Sequence, residues 1–427
     1  MHGRKEHEVR RMFVMLALLI AALALVAAGC GGDDEEGAPA ATTTETTAET
    51  TEAGEYGEVY EADPAILEKA MFNAELLPAD ETARNIALAA YARADDEVDQ
   101  DLALKCWKDN GCDTGTGGDM TVAYVEGFGE NVYREISKME FILQALTYPE
   151  VGKIMYSSAQ SNPDQALTDF RAAISQDVDL IVTYPDFGDA MLPVFKEATE
   201  AGIPVATYAW GFVTGPGENY LTVVGEDTCE LGKAYAEVMN REVGSGKIAF
   251  LGGFPGNPLS LGWQKCEEPA LNPEIKVVAN EATNWDSSKV QEVVAGILAR
   301  HPDIKGWSYE YGLGMAQGAF AAYKAAGKPF DAVLTLRTDD VGLGCAVNEA
   351  DNPNLKAHYY TAGNSQIRVA FTAAMMKLKG AEIPPQIVFP IELQNQADRD
   401  SCVEGYPKEA SATSLVPVEL LGKMYPG

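Results

Sequence analysis

One stretch of the chain, from Asp177 to Trp210, constrains the fold more than any other. It opens with a short apolar run, Leu180 to Tyr184, which is typical of a strand buried on both faces. Apolar residues then recur at helical spacing as far as Gly202, a glycine suited to the left-handed position that ends a helix. A second apolar run, Ile203 to Ala209, follows. This order predicts a right-handed crossover in a parallel sheet, with ligands bound beyond the carboxyl ends of the strands.

The same alternation of strand and helix continues after Met120 in two series of similar length. A chain of 427 residues with 46% apolar content can bury two sizeable cores. We therefore predict an α/β protein with two doubly wound parallel-sheet lobes and a cleft between them. The predicted strands are Thr121–Val125, Gly152–Ser157, Leu180–Tyr184, Ile203–Ala209, Tyr220–Val224, Ile248–Leu251, Ile275–Ala279, Gly306–Tyr309 and Val333–Leu336.

The beginning of the chain predicts export. Residues 1–29 combine basic residues with an apolar run and are interpreted as a signal peptide. The sequence LVAAGC, which ends at Cys30, resembles the lipobox of bacterial lipoproteins and implies acylation of that cysteine. Residues 30–60 are rich in Asp, Glu, Thr and Ala and predict a disordered acidic stalk. Residues 61–119 predict a helical extension that ends in a loop containing cysteine and glycine.

Charge and cysteine content narrow the range of partners. A formal net charge of -32 would repel nucleic acid and anionic membrane surfaces. Without Cys30 an even number of cysteines remains, and export permits disulfides. Sequence proximity suggests, among the 15 connectivities open to six cysteines, the pairs Cys106–Cys112, Cys229–Cys266 and Cys345–Cys402. A zinc site is disfavoured, because His301 and His358 are the histidines left after the signal peptide and no CxxC occurs. No metal or cofactor is predicted.

Three segments of the alternating region carry a family resemblance. They are AGIPV at 201–205, WDSSKVQEVVAGILARHPDIKGW at 285–307 and GMAQGAFAAYKAAG at 314–327. The chain resembles the type I periplasmic binding proteins, in the sugar-binding branch related to ribose-binding protein. The resemblance implies a monomeric hinged clamp that closes on a small polar ligand and is recognised by an ABC permease. It also implies a first lobe of 120–222 plus 363–390 and a second lobe of 223–362 plus 391–427.

The resemblance further implies a set of ligand-binding residues in the cleft. These are Glu126, Phe128, Asn131, Tyr133, Trp210, Trp263, Trp285, Glu310, Tyr311, Asp339 (or its neighbour Asp340) and Asn364. Asn131 and Asn364 are alternatively helix caps, and the tryptophans are alternatively core residues. Ala209 and Trp210 stand where ribose-binding members carry Asp and Arg, which speaks against ribose itself.

No Lys or Arg remains at the matched positions, so the predicted site consists of acids and aromatic rings. Such a site suits a neutral monosaccharide-like ligand first, and a cationic or amine-bearing ligand second. Presentation of the ligand to a membrane sensor is the alternative to delivery to a permease. An enzyme is disfavoured because GxSxG and HExxH are absent, although Glu126 and Glu310 could form a glycosidase pair. The predicted location is the outer face of the cell membrane, or the periplasm.

Overall fold

The structure is a computed structural model that describes residues 59–129, 131–209, 213–361 and 363–426. The predicted signal peptide, the lipidation site Cys30, nearly all of the stalk and the candidate ligand residue Trp210 lie outside the described residues. Within the described ranges, no helix is long and apolar enough to span a membrane.

Strands and helices alternate as the sequence predicts. The strands are β1 Gly111–Asp113, β2 Met120–Glu126, β3 Val151–Ser158, β4 Leu180–Tyr184, β5 Val205–Tyr208, β6 Thr222–Gly225, β7 Gly246–Gly252, β8 Ile275–Ala282, β9 Ile304–Tyr309, β10 Val333–Leu336, β11 Lys356–Tyr359, β12 Gln386–Val388 and β13 Gln394–Asn395. Each predicted strand is present; β4 and β10 have the predicted ends, and the ends of the others are shifted by a few residues. Four strands were not predicted: β1, β12 and β13 have only two or three residues, and β11, with the sequence KAHY, lacks an apolar run.

The helices begin mostly at capping residues. They are α1 Pro64–Met71, α2 Glu81–Ala92, α3 Gln100–Lys108, α4 Val132–Leu146, α5 Pro163–Ser175, α6 Leu192–Glu200, α7 Thr228–Glu242, α8 Pro258–Ala270, α9 Ser287–Arg300, α10 (Gly312–Gly314, the π-helical Met315–Ala319 and Phe320–Ala325), α11 Val341–Ala350, α12 Gln366–Leu378 and α13 Val418–Met424. The side chains of Asn131, Asp227, Asn257 and Asp286 accept hydrogen bonds from backbone N–H groups in the first turns of α4, α7, α8 and α9.

Two sheets form the centres of the two lobes. The first is 7-stranded in the order β1-β3-β2-β4-β5-β6-β12, and the second is 6-stranded in the order β13-β11-β10-β9-β7-β8. All neighbours pair in parallel except β1 with β3 and β13 with β11 at the sheet edges. The predicted fold class, two doubly wound α/β lobes, is confirmed.

The chain passes between the lobes at places close to the predicted ones. β6 pairs with β5 and β12, so the first passage follows Gly225 instead of residue 222. The chain returns between β11 and α12, since α12 packs against β5. It leaves again between β12 and β13. These three chain passages thus join the lobes, as in a hinged two-lobe protein.

The last residues correct the predicted second lobe, which was expected to include everything from 391 to 427. Ser411 and Thr413 donate hydrogen bonds to the buried carboxylate of Asp339 in lobe 2. Only two residues later, the Leu415 N–H donates to the buried carboxylate of Glu140 on α4 of lobe 1, at 2.8 Å. The C-terminal tail, residues 411–426, therefore crosses from lobe 2 to lobe 1.

The helical extension packs mainly against lobe 1. α2 lies on α12, and the indole N–H of Trp107 donates to the carbonyl of Glu135 at the start of α4. α1 also reaches lobe 2, where Glu68 pairs with Arg399. The extension thus packs beside the hinge passages, where α1 and α2 lie next to Tyr360, Gly363 and Phe389.

The three suggested disulfides, Cys106–Cys112, Cys229–Cys266 and Cys345–Cys402, are all present. The first closes the predicted loop, in which β1 adds an edge strand to the first sheet. The second joins α7 to α8, and the third fixes the segment after β13 to α11. These bonds constrain the unfolded chain and agree with a protein made for an oxidising compartment.

Candidate ligand-binding site

A small polar pocket lies between the lobes, next to the hinge passages. It encloses about 40 Å³. We call it the ligand pocket and define it by the residues that line it: Asn131, Tyr133, Arg134 and Tyr184 from lobe 1, and Leu259, Trp285, Glu310, Tyr311, Arg337 and Thr338 from lobe 2. Most of these follow the carboxyl ends of β2, β4, β9 and β10, where parallel sheets place their ligands.

On the lobe 1 side, Arg134 is the central group. Its guanidinium nitrogens lie 2.7 Å from Glu126 Oε1 and 2.6 Å from Asp186 Oδ1, and all three side chains are buried. The guanidinium carbon also lies 3.4 Å from the ring centroid of Tyr184. Because Arg134 lies in the first turn of α4, which Asn131 caps, the cap and the ion pairs hold its side chain in one position.

On the hinge side, Arg337 pairs with Glu226. The Arg337 Nε donates to Glu226 Oε1 at 2.5 Å, and both side chains are almost completely buried. Arg337 follows β10 of lobe 2, whereas Glu226 follows β6 of lobe 1, so this pair joins the lobes at the first passage. The Arg337 Nη2 is buried and has no acceptor in the described part of the chain. It is therefore a donor available to a ligand.

On the lobe 2 side, Glu310 fixes two tryptophans. Its two carboxylate oxygens accept from the indole N–H of Trp263 at 2.8 Å and of Trp285 at 2.6 Å. The backbone of Trp285 has a φ of 53°, which is unusual for a bulky residue and which the surrounding contacts must maintain. A side chain at Gly253 would lie 2.3 Å from the Trp285 ring. The protein thus accepts local strain to present this ring to the pocket.

Burial disfavours the charged forms of the pocket carboxylates. It raises the pKa of Glu126 and of Asp186, while the Arg134 guanidinium opposes both rises. Burial also raises the pKa of Glu310, and the hydrogen bonds that it accepts oppose that rise. Each pocket guanidinium therefore faces at least one buried carboxyl group, and the pocket has no strong unbalanced charge.

Beside the pocket, Asp340 makes the protein's stability depend on pH. Burial raises its pKa to about 7, and the Thr338 hydroxyl, which donates to it, opposes the rise. Folding favours the protonated form of Asp340. The stability that this group contributes is therefore fully present below the pKa that Asp340 has in the unfolded chain, and it is lost as the pH rises through about 7.

We therefore expect Asp340→Asn, which keeps an acceptor for Leu313 N–H, to flatten the fall in unfolding free energy between pH 4 and 7. Urea denaturation at several pH values measures this slope. We expect the fall in unfolding free energy between pH 4 and 7 to become smaller by a few kcal/mol. Asp286→Asn, at an exposed helix cap, is the control and should keep the wild-type slope. An unchanged slope in Asp340→Asn would show that Asp340 does not cause this pH dependence.

Several residues of the predicted ligand set meet in the pocket. Asn131, Tyr133, Trp285, Glu310 and Tyr311 line it. Two further members stand directly behind its wall: Glu126 pairs with Arg134, and the Phe128 ring contacts that of Trp285 at 5.4 Å between centroids. Asn131 also accepts from the Arg134 N–H, so the capping alternative holds as well.

Other members of the set lie elsewhere. Trp263 is fully buried, in agreement with the alternative that it is a core residue. Among the described residues its hydrogen bond to Glu310 connects it to the pocket. Both oxygens of Asp339 accept from the C-terminal tail. The Asn364 amide donates to the Tyr133 carbonyl and to Ser137, which fixes the second passage to α4. These three side chains have structural roles, and we leave them out of the proposed ligand contacts.

The structure adds two basic residues to the acids and aromatic rings of the predicted set. Arg134 and Arg337 both line the pocket, and their partners Asp186 and Glu226 were also missed. A signal for each arginine was available. Arg134 lies one helical turn after Asn131, and Arg337 directly follows the last residue of β10.

Comparison with known proteins agrees with this geometry. The family described as "Periplasmic binding protein domain" matches residues 122–382, which is more than half of the chain. The chain belongs to this family. The family is extracytoplasmic, in agreement with the predicted export, and its members bind substrates.

Two relatives and one solved structure illustrate the similarity of this periplasmic binding protein. The ribose import binding protein of Bacillus subtilis (strain 168) is 25% identical over 245 residues, 57% of this chain and 77% of the relative. The galactofuranose-binding protein of Escherichia coli (strain K12) is 28% identical over 193 residues, 43% of this chain and 60% of the relative. Both are named as binding proteins and not as enzymes, which agrees with the predicted binding function.

The solved structure is an ABC transporter periplasmic solute binding protein from Actinobacillus succinogenes 130z with bound D-allose. It matches with a TM-score of 0.56 and 22% identity over 64% of this chain and 97% of that chain. At this identity the likeness establishes the fold of the two lobes. The arrangement of the extension before residue 120 and of the C-terminal tail is known from the structure of this chain.

Proposed function

We propose that this protein captures a neutral, monosaccharide-like sugar in the ligand pocket and delivers it to an ABC permease. One observation carries the proposal: the Trp285 ring and the free donor of Arg337 line the same small pocket between the lobes. An aromatic ring packs against the C–H face of a sugar, while a guanidinium donates to its hydroxyl or ring oxygens. Relatives named for ribose and galactofuranose support a sugar.

The charges of the pocket favour a neutral ligand over the cationic one considered from the sequence. Burial raises the pKa values of Glu126, Asp186 and Glu310 and so disfavours their charged forms. The carboxyl groups also face the guanidinium groups of Arg134 and Arg337, so an ammonium group meets little net negative charge in the pocket. The partners of the two guanidinium groups, Glu126, Asp186 and Glu226, compensate the guanidinium charge and remove the attraction for an anion. A ligand with hydroxyl groups and no charge fits both conditions.

A thermal-shift panel of pentoses, hexoses, polyols, amines and nucleosides tests the ligand class. We expect at least one neutral sugar to raise the melting temperature in a concentration-dependent manner, because binding to the native state alone stabilises it. Stabilisation by amines alone would show that the sugar assignment is wrong. The same panel measured by calorimetry would supply the stoichiometry, expected to be one ligand for each chain.

Trp285→Ala is expected to weaken sugar binding by more than ~1 kcal/mol, about fivefold in Kd, because a stacked ring is lost. Trp285→Phe should recover part of the affinity, since it keeps a ring but loses the indole donor to Glu310. Trp107→Ala, in the extension, is the distant control and should bind like the wild type. Calorimetric titration measures all three. Wild-type affinity in Trp285→Ala would assign this ring to packing alone.

The proposal places the protein on the outer face of the cell membrane through a lipid on Cys30, with the acidic stalk as spacer. Cys30→Ser should release the protein from the membrane fraction, whereas a charge-neutral change in the stalk, Thr43→Ser, should not. Cell fractionation followed by mass spectrometry of the N-terminal peptide measures this. Retention of Cys30→Ser in the membrane fraction would contradict a lipid anchor.

A further inference from the structure

A second cavity, much larger than the ligand pocket, opens between the lobes. It has a volume of about 390 Å³ and we call it the outer cavity. Phe128, Phe187 and Ala190 of lobe 1 face Phe254, Pro255 and Pro258 of lobe 2 across it. Because both lobes contribute walls, the outer cavity takes its present shape only when the lobes are in this arrangement.

The outer cavity and the ligand pocket share a wall. The Phe128 ring lies between them and contacts Phe254 at 5.0 Å and Trp285 at 5.4 Å between centroids. The Arg134–Asp186 ion pair belongs to the same wall, since Arg134 lines the ligand pocket and Asp186 lines the outer cavity. The two cavities are therefore adjacent, with the Phe128 ring and the Arg134–Asp186 pair between them.

Most of the polar side-chain atoms around the outer cavity are engaged with the protein, although Asp186 Oδ2 is buried without a hydrogen-bond partner among the described residues. Asn257 Oδ1 accepts from Leu259 N–H as a helix cap, at 2.9 Å. The Ser161 hydroxyl donates to the Phe128 carbonyl at 2.8 Å. Asp186 Oδ1 accepts from Arg134. The cavity therefore offers mainly ring and proline surfaces, which favour an apolar occupant.

We propose that the natural ligand is a glycoside whose apolar or aromatic aglycone occupies the outer cavity while its sugar occupies the ligand pocket. This rests on the proposed sugar-binding function and extends it to the substituent. The Phe128 ring separates the two parts of the ligand and contacts the aglycone at the junction. An unsubstituted sugar fills only the smaller cavity and leaves the apolar walls of the larger one in water.

Matched glycosides test this directly by calorimetry. The probes are free ribose, arabinose, galactose and glucose, their methyl and phenyl glycosides in both anomers, and phenol alone. We expect at least one phenyl glycoside to bind ten or more times more tightly than its methyl counterpart, since its ring leaves water. Phenol alone should bind weakly or not at all, because it lacks the sugar that positions it.

Two variants test whether the added affinity of the phenyl glycoside comes from the outer cavity. Phe187→Ala removes a wall of the outer cavity, and Ala190→Trp fills the cavity; neither residue lines the ligand pocket. Both should abolish the preference for phenyl over methyl and leave the affinity for the methyl glycoside within about twofold of the wild type. Phe320→Ala, a half-buried ring that packs on Phe330, is the matched control and should keep the preference. Retained methyl glycoside affinity shows that the variants are folded.

The outcomes separate this inference from the proposed function. Equal affinity for methyl and phenyl glycosides, or a phenyl preference that survives both Phe187→Ala and Ala190→Trp, overturns the aglycone site and leaves sugar binding intact. If no free sugar and no glycoside binds, the proposed sugar function fails and the aglycone site fails with it.

Discussion

Arg337→Ala is expected to have the largest effect on the hinge and on ligand binding together. Arg337 is 3% exposed and its partner Glu226 is completely buried. Among the described residues, the substitution leaves the Glu226 carboxylate with the hydrogen bond that the Gln366 amide donates at 3.4 Å. Loss of one partner from a buried ion pair destabilises a protein by ~3–5 kcal/mol. Loss of the free donor should also weaken sugar binding about 10-fold or more, as for a charged hydrogen bond.

Urea denaturation measures the first effect and calorimetry the second. Arg337→Lys keeps the charge but not the planar fork of donors, so we expect it to fall between the wild type and Arg337→Ala. Arg171→Ala is the matched control: that arginine pairs with Glu197 on the exposed surface of lobe 1 and should change little. If Arg337→Ala were as stable as Arg171→Ala and bound sugar normally, the role of Arg337 in the hinge and pocket would be refuted.

Glu140→Ala is expected to destabilise the protein by a similar amount, through the C-terminal tail. The buried Glu140 carboxylate accepts from Arg368, from the Leu415 N–H and from the Ser414 hydroxyl. In the described part of the chain, its removal leaves the buried Arg368 guanidinium with a hydrogen bond to the Gln144 side-chain oxygen and frees the tail from this contact with lobe 1. We expect a loss of ~3–5 kcal/mol in unfolding free energy, and proteolysis near residue 415 should become faster.

Glu197→Ala on the surface is the control for Glu140→Ala, and neither change touches the ligand pocket. Urea denaturation gives the unfolding free energies, and limited proteolysis followed by mass spectrometry locates the new cleavage site. Equal stability of the two variants, with no cleavage in the tail, would show that Glu140 does not hold the tail on lobe 1.

The fold could be predicted from the sequence because its signals are local. In the stretch that opened the sequence analysis, the predicted and observed strand Leu180–Tyr184 agree residue by residue. The next strand is shorter than predicted, Val205–Tyr208, since Ile203 and Pro204 precede the parallel pairing. The short edge strands and the crossing of the tail depend on distant contacts. No periodic pattern in residues 391–427 predicts that the Leu415 N–H donates a hydrogen bond to Glu140.

The ligand pocket could be predicted only in part, because a shift of one or two residues decides which way a side chain points. Asp339 was placed in the predicted set, but the residue that reaches the pocket beyond β10 is Arg337, while Asp339 turns toward the tail. Both residues lie after the end of β10, so the local turn, and not a strand period, decides where each side chain points. Trp285 was found because its aromatic ring directly precedes a helix cap, a pattern that leaves little freedom of alignment.

The most direct test of sugar binding between the lobes is a crystal structure of the protein with the sugar that gives the largest thermal shift. We expect the sugar ring to pack against Trp285 and one of its oxygen atoms to lie within ~3 Å of Arg337 Nη2, a normal hydrogen-bond distance. A sugar bound outside the ligand pocket, or a pocket in which Arg337 and Trp285 make no contact with it, would contradict the account.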